Sequence, residues 1–168
     1  MTSPEAAGPI EVNGVAHVIL RVERIAECIE FYDRVMPFLG LRSVRPRSPD
    51  FIYYVGGRTA LGIRRAEPQH ADVEHVETGP GLDHICLRAR SREDVDSAHS
   101  FLLEIRADVV RAPEEGPWAP GYYSVSFRDP EGIRFELNHV PGKGLLADGA
   151  EFVPAPEHPI TGRPGPEV

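Results

Sequence analysis

Residues 14–22, Gly14-Val-Ala-His17-Val-Ile-Leu-Arg21-Val, lie over residues 81–89, Gly81-Leu-Asp-His84-Ile-Cys-Leu-Arg88-Ala, without a gap and at an offset of 67 residues. Gly, His, Leu and Arg coincide. Both stretches alternate with the period of a β-strand. Val18, Leu20 and Val22 fall on one face, His17, Ile19 and Arg21 on the other. In the second copy Ile85, Leu87 and Ala89 oppose His84, Cys86 and Arg88. A helical stripe follows each strand. In the first copy it is Ile25, Ile29, Tyr32 and Val35 or Met36, ended by Pro37 and Gly40. In the second it is Val95, Ala98, Leu102 and Ile105, with Ser91 as N-cap ahead of Glu93 and Asp94.

Short strands follow each helix: residues 42–45, 51–55 and 58–65 in the first copy, and 109–111, 122–127 and 133–140 in the second. Asp129-Pro130-Glu131-Gly132 has the residue order of a type I turn and predicts a hairpin between the last two. The pattern is β-α-β-β-β twice, an α+β fold. A single unit cannot bury the apolar face of its sheet, whereas two copies form a curved mixed sheet with helices on the outer face and a cleft in front. The expected divisions are a flexible N-terminus at 1–13, modules at 14–80 and 81–140, and a tail at 141–168. That tail holds six prolines and five glycines without apolar periodicity, a composition that favours an extended or disordered arm.

Composition narrows the function. The 168 residues carry 18 basic and 26 acidic side chains, a net charge of −8. That balance argues against nucleic acid and against an anionic membrane surface. The longest stretch without a charge, Gly116 to Phe127, is 12 residues with two prolines, short of a spanning helix. The opening Met-Thr-Ser-Pro-Glu lacks the basic and apolar regions of a secretory signal. Cys28 and Cys86 are too few and too far apart for a disulfide framework or a C-x-x-C pair. The expectation is a cytoplasmic protein with a small-molecule substrate, as a monomer or a homodimer.

Strand parity places chemistry on the cleft face. The hairpin strands present Tyr122, Ser124, Ser126, Arg134, Glu136 and Asn138 there, and the first strands of the two copies present His17 and His84. Polar groups on a covered face are costly unless paired or coordinated. His17, His84 and Glu136 make a set of two imidazoles and one carboxylate suited to a divalent ion. Three protein ligands leave coordination positions open, as catalytic sites do. Each residue taken singly has an ordinary reading as a hydrogen-bonded or solvated side chain. The matched positions in a repeat are what favour the metal. Tyr122, Ser124 and Arg134 are the candidates for orienting substrate or relaying a proton. Cys86 reads as a packing residue, His139 has the wrong parity, and Trp118 lies near the tyrosines as a rim or a packing group.

These residues resemble the vicinal oxygen chelate superfamily of glyoxalases, extradiol dioxygenases, fosfomycin-resistance enzymes, epimerases and bleomycin-binding proteins. The likeness runs over about residues 14–140. Its most specific part is Asp129-Pro-Glu-Gly132 with Glu136 four residues after the glycine. The resemblance implies paired βαβββ modules and a metal held by His17, His84 and Glu136, with Fe or Mn favoured over Zn, Co or Ni. Glyoxalase-like members take a fourth ligand from the last strand of the first module, where this chain offers Leu61 or Gly62. A dioxygenase-like activity on a small oxygen-chelating substrate is therefore placed slightly ahead of a lyase or isomerase. The alternative is a metal-free drug-binding protein that traps an aromatic ligand near Trp118.

Overall fold

A computed structural model describes residue 12 and residues 14–144. The tail expected at 141–168 and the N-terminus expected at 1–13 lie almost wholly outside the described residues. The first module runs β1 (His17–Val22), α1 (Ile25–Phe38), β2 (Arg42–Val44), β3 (Phe51–Gly56) and β4 (Thr59–Arg65). The second runs β5 (His84–Arg88), α2 (Arg92–Glu104), β6 (Asp108–Glu115), β7 (Tyr123–Arg128) and β8 (Arg134–His139). Each module closes a four-stranded mixed sheet, in the orders β1-β4-β3-β2 and β5-β8-β7-β6. β1 runs parallel to β4 and β5 parallel to β8, and the other pairs are antiparallel. The repeat in the sequence is thus a repeat in topology. No described helix is long and apolar enough to cross a membrane.

Local chemistry accounts for the elements. Ser91 Oγ accepts the Asp94 N–H while the Asp94 carboxylate accepts the Ser91 N–H, a reciprocal cap that starts α2. α1 runs one residue past Pro37, because a proline in the last turn removes only one backbone donor and Leu39 N–H still reaches Val35 O at 3.0 Å. The β7–β8 turn closes through Gly132 N–H to Asp129 O at 3.0 Å. Asp129 Oδ1 also accepts the N–H groups of Glu131 and Ile133 at 2.9 and 2.8 Å. Gly132 has φ +84°, a conformation that disfavours any side chain.

β6 departs from expectation. It spans Asp108–Glu115 rather than residues 109–111, and its register against β7 shifts on both sides of Arg111. Pro113 is accommodated because β6 is an edge strand, where proline's missing N–H is tolerated. The irregular register re-aims the strand locally and carries Arg111 opposite Ser126.

One apolar core joins the modules. Leu20, Ile25, Tyr32, Met36 and Ile63 of the first belong to the same buried cluster as Val95, Leu102, Val125, Phe127 and Phe135 of the second. α1 reaches across: Tyr32 packs edge-on to Phe135 at 5.8 Å, and Phe38 stacks on Phe101 of α2 at 4.0 Å. Tyr32 Oη donates to Asp129 Oδ2 at 2.5 Å, and Arg24 N–H donates to Glu131 Oε1 at 2.8 Å. The β7–β8 turn is therefore a docking point for the first helix.

Candidate metal centre

β5 and β8 are parallel neighbours, with His84 opposite Arg134 and Cys86 opposite Glu136. β7 lies on the other side of β8, with Ser126 opposite Glu136 and Ser124 opposite Asn138. Residues with matching parity share a face, so His84, Arg134, Glu136, Asn138, Ser124 and Ser126 gather on one side of the second sheet. Ser124, Ser126, Arg134, Glu136 and Asn138 are all buried, and a covered face this polar requires partners.

Glu136 finds them in a divided way. Its Oε1 accepts Tyr122 Oη at 2.8 Å and Arg111 Nη2 at 3.3 Å. Its Oε2 faces His84 Nε2 at 3.4 Å. Burial pushes this carboxyl up, but hydrogen bonding from His84, Ser124 and Tyr122 outweighs burial and lowers it to about 2. Glu136 is ionised at neutral pH. The Glu136 hydrogen bond raises the His84 imidazole, against the opposing effect of burial. Burial pushes the Tyr122 phenol well above its ordinary value, so it stays a donor.

Asp83 and Arg134 fix the imidazole from behind. His84 Nδ1 meets Asp83 Oδ1, and Arg134 Nη2 donates to the same oxygen. Burial opposes the ionisation of Asp83, but its hydrogen bond with His84 and the Arg134 charge lower its carboxyl on balance. An ionised carboxylate only accepts, so the proton sits on Nδ1 and Nε2 is the nitrogen left for Glu136 or a ligand. Arg134 is fully buried, with Glu77 Oε1 3.2 Å from its Nε. Its Nε and Nη1 lack aligned hydrogen-bond acceptors.

Nε2 and Oε2 are thus two metal-competent atoms facing each other. With bonds of about 2.1 Å to a shared ion, atoms 3.4 Å apart subtend about 108°, within the range of tetrahedral and distorted octahedral centres. The donor set fits a divalent ion at these two positions.

The sequence-predicted residues divide accordingly. His84, Glu136, Tyr122, Ser124 and Arg134 come together in the second module. Ser124 Oγ accepts Arg111 Nη2 at 3.0 Å. Arg134 stands behind His84, against Asp83 and Glu77. His17 begins β1 opposite Ala60, exposed, on the first sheet. Among the described residues no three His, Cys, Asp or Glu side chains converge on one point. Cys86, expected to pack, is exposed. Trp118 packs on the small cluster of Ala119, Tyr122 and Val140. Arg111 and Asp83 escaped the reading of the sequence: the irregular register hides the parity of Arg111, whereas Asp83 was visible as the carboxylate next to a candidate ligand.

A family model for the Glyoxalase/Bleomycin resistance protein/Dioxygenase superfamily matches residues 14–137. A crystal structure of a glyoxalase-like protein from Bacillus halodurans is 27% identical, with a TM-score of 0.67 over 76% of this chain and 96% of that one. A glyoxylase/bleomycin resistance protein/dioxygenase domain from Frankia sp. is 26% identical, with a TM-score of 0.63 over 77% and 98%. A lactoylglutathione lyase from Agrobacterium tumefaciens shares the fold at 23% identity, with a TM-score of 0.58 over 77% and 95%. No curated protein matches.

Proposed function

Since the chain belongs to the glyoxalase/bleomycin resistance/dioxygenase superfamily, we propose that it is a divalent-metal-dependent enzyme acting on a small substrate that chelates the ion through its oxygens. His84 and Glu136 supply two ligands and His17 of a second copy supplies the third. Fe or Mn is favoured, with Zn, Co or Ni as alternatives. The observation that carries this reading is the division of labour at Glu136: one oxygen is held by Tyr122 and Arg111, while the other faces an imidazole nitrogen whose opposite edge is tied to Asp83. Outer partners of this kind orient metal ligands and raise their basicity.

When bound, the ion polarises substrate oxygen or brings dioxygen beside an electron-rich substrate. Everything else falls to the chain. Tyr122 and Arg111 hold the carboxylate in one rotamer, and Asp83 holds the proton on His84 Nδ1. Hydrogen bonding to Glu136 favours a proton on His84 Nε2, so loading that nitrogen would release one. Ser124 and Tyr122 are the hydroxyls nearest the carboxylate and orient bound substrate. Leu61 or Gly62 falls at the first-module position where the resemblance to glyoxalase-like members implies a fourth ligand. Proton abstraction by a carboxylate there has no counterpart, which favours oxygen-dependent chemistry over isomerisation.

His17 and the His84–Glu136 pair sit on different sheets of one chain, and two chains pairing first module to second bring the two faces together. A homodimer with two shared centres follows. Elemental analysis of protein purified without chelator, followed by oxygen-consumption assays with catechols and hydroxy-carbonyl compounds, tests the proposal. One ion per chain, lost in Glu136→Ala, is the expected result. Metal-free protein that still binds aromatic drugs through Tyr122 would replace the enzyme with a sequestering protein.

A further inference from the structure

The first sheet carries a face that the metal reading leaves unused. Ile19 on β1, Gly62 on β4 and Tyr53 on β3 are lateral neighbours, and Phe51 on β3 is opposite Arg64 on β4. A methyl group on Gly62 would lie 3.0 Å from a Tyr53 ring carbon, 3.1 Å from Ile19 Cγ1 and 3.2 Å from a Phe51 ring carbon. Three apolar side chains therefore close over a residue that has none. Phe51 and Tyr53 meet edge to face at 4.5 Å, and the Arg64 guanidinium lies 4.6 Å from the Phe51 ring centroid. Arg64 is exposed, and no carboxylate pairs with it among the described residues. Parity adds Arg21 and Arg42 to this face and no acidic residue at all, on a chain whose net charge is −8. Arg21 is held by Glu67 at 2.7 Å, which leaves Arg64 the cation beside the rings.

We propose that this face binds an aromatic ring bearing an anionic group, with the ring on Ile19, Phe51 and Tyr53 and the carboxylate on Arg64. A flat ring matches the apolar surface that Ile19 and the two half-buried aromatic side chains make where they close over Gly62. A guanidinium already stacked on an aromatic ring keeps its N–H edge free for a planar carboxylate. His17 precedes Ile19 by two residues on the same face. The substrate class is then an aromatic acid, whose ring rests here while its oxygens reach the ion. That placement rests on the metal reading, whereas ring and charge recognition do not.

Titration of chelator-treated full-length protein with benzoate, benzyl alcohol and acetate separates the two. Benzoate is expected to bind about tenfold more tightly than benzyl alcohol, and acetate more weakly than either. Arg64→Gln removes the advantage of benzoate and leaves benzyl alcohol unchanged. Phe51→Ala weakens both aromatic probes. If wild-type protein binds benzoate in this pattern but takes up no metal, the metal reading falls and this one stands. Equal affinity for benzoate and acetate, or benzoate binding indifferent to Arg64→Gln and Phe51→Ala, overturns it.

Discussion

His17 and His84 begin matching strands of two modules with one topology, yet their surroundings are opposites. His84 is gripped on both edges, by Asp83 and by Glu136. His17 is exposed at the start of β1. The sheet around His84 buries serines, an asparagine, an arginine and a glutamate behind one another. The sheet around His17 presents Ile19 at 37% exposure, half-covered aromatic rings and, in Arg64, a cation that no described carboxylate pairs. A duplicated unit has kept its backbone and divided its chemistry. The second copy prepares a charged ligand pair in advance, at the cost of burying polar groups. The first offers an open face.

The comparison breaks most completely at the ligands. Glu136→Gln keeps the hydrogen bond from Tyr122 but removes the charge facing His84. Metal affinity should fall by at least about a hundredfold, beyond the loss of an outer partner, as read by competition against a chelator dye. His17→Ala should lose as much, although among the described residues His17 makes no hydrogen bond or ion pair. If it does not, the two modules do not share an ion.

The junction between the modules comes next. Asp129→Ala leaves the Tyr32 hydroxyl and two backbone N–H groups without their acceptor. The expected cost is about 2–3 kcal/mol, measured by chemical denaturation, with m unchanged if both modules still unfold together. Tyr32→Phe removes one of these bonds and should cost about 1 kcal/mol.

Asp83→Asn makes the second module more like the first, because His84 then loses the charged anchor on Nδ1. About tenfold weaker metal binding is expected, with fold stability little changed. Read at a pH above the folded value of the imidazole, where the ring is neutral, the nitrogen shifts of His84 should move from a fixed Nδ1–H tautomer to a mixture. An unaltered tautomer would remove Asp83 from the account.

The smallest effect is that of pH on the metal-free protein. The Glu136 carboxyl is lowered from 4.5 to about 2, so its stabilising contribution is full above 4.5 and fades as pH falls toward 2. The His84 imidazole is raised above 6.5, so its contribution is full below 6.5 and fades as pH rises through the folded value. Melting temperature should be highest between these limits, and the alkaline decline should vanish in His84→Ala.

Much of this was legible before any coordinates. The 67-residue offset between the histidine strands located the modules, period-two alternation assigned the faces of β1, β5, β7 and β8, and the Asp129–Gly132 turn located the last hairpin. These features are local, so short stretches encode them. Arg111 was not legible, because the register shifts in β6 depend on its partner strand and break the parity rule. Nor was the separation of His17 from His84. A repeat states that two positions are equivalent within their own sheets, not how the two separate sheets are placed against each other.

The shared centre can be tested by mixing two defective chains. His17→Ala and Glu136→Ala each lack one ligand and should load no metal alone. Unfolded together and refolded at equal concentration, half of the dimers are mixed, and each mixed dimer holds one centre with all three residues intact. Recovery of about a quarter of an ion per chain is the predicted result. No recovery from the mixture, or full loading of either variant alone, would contradict it.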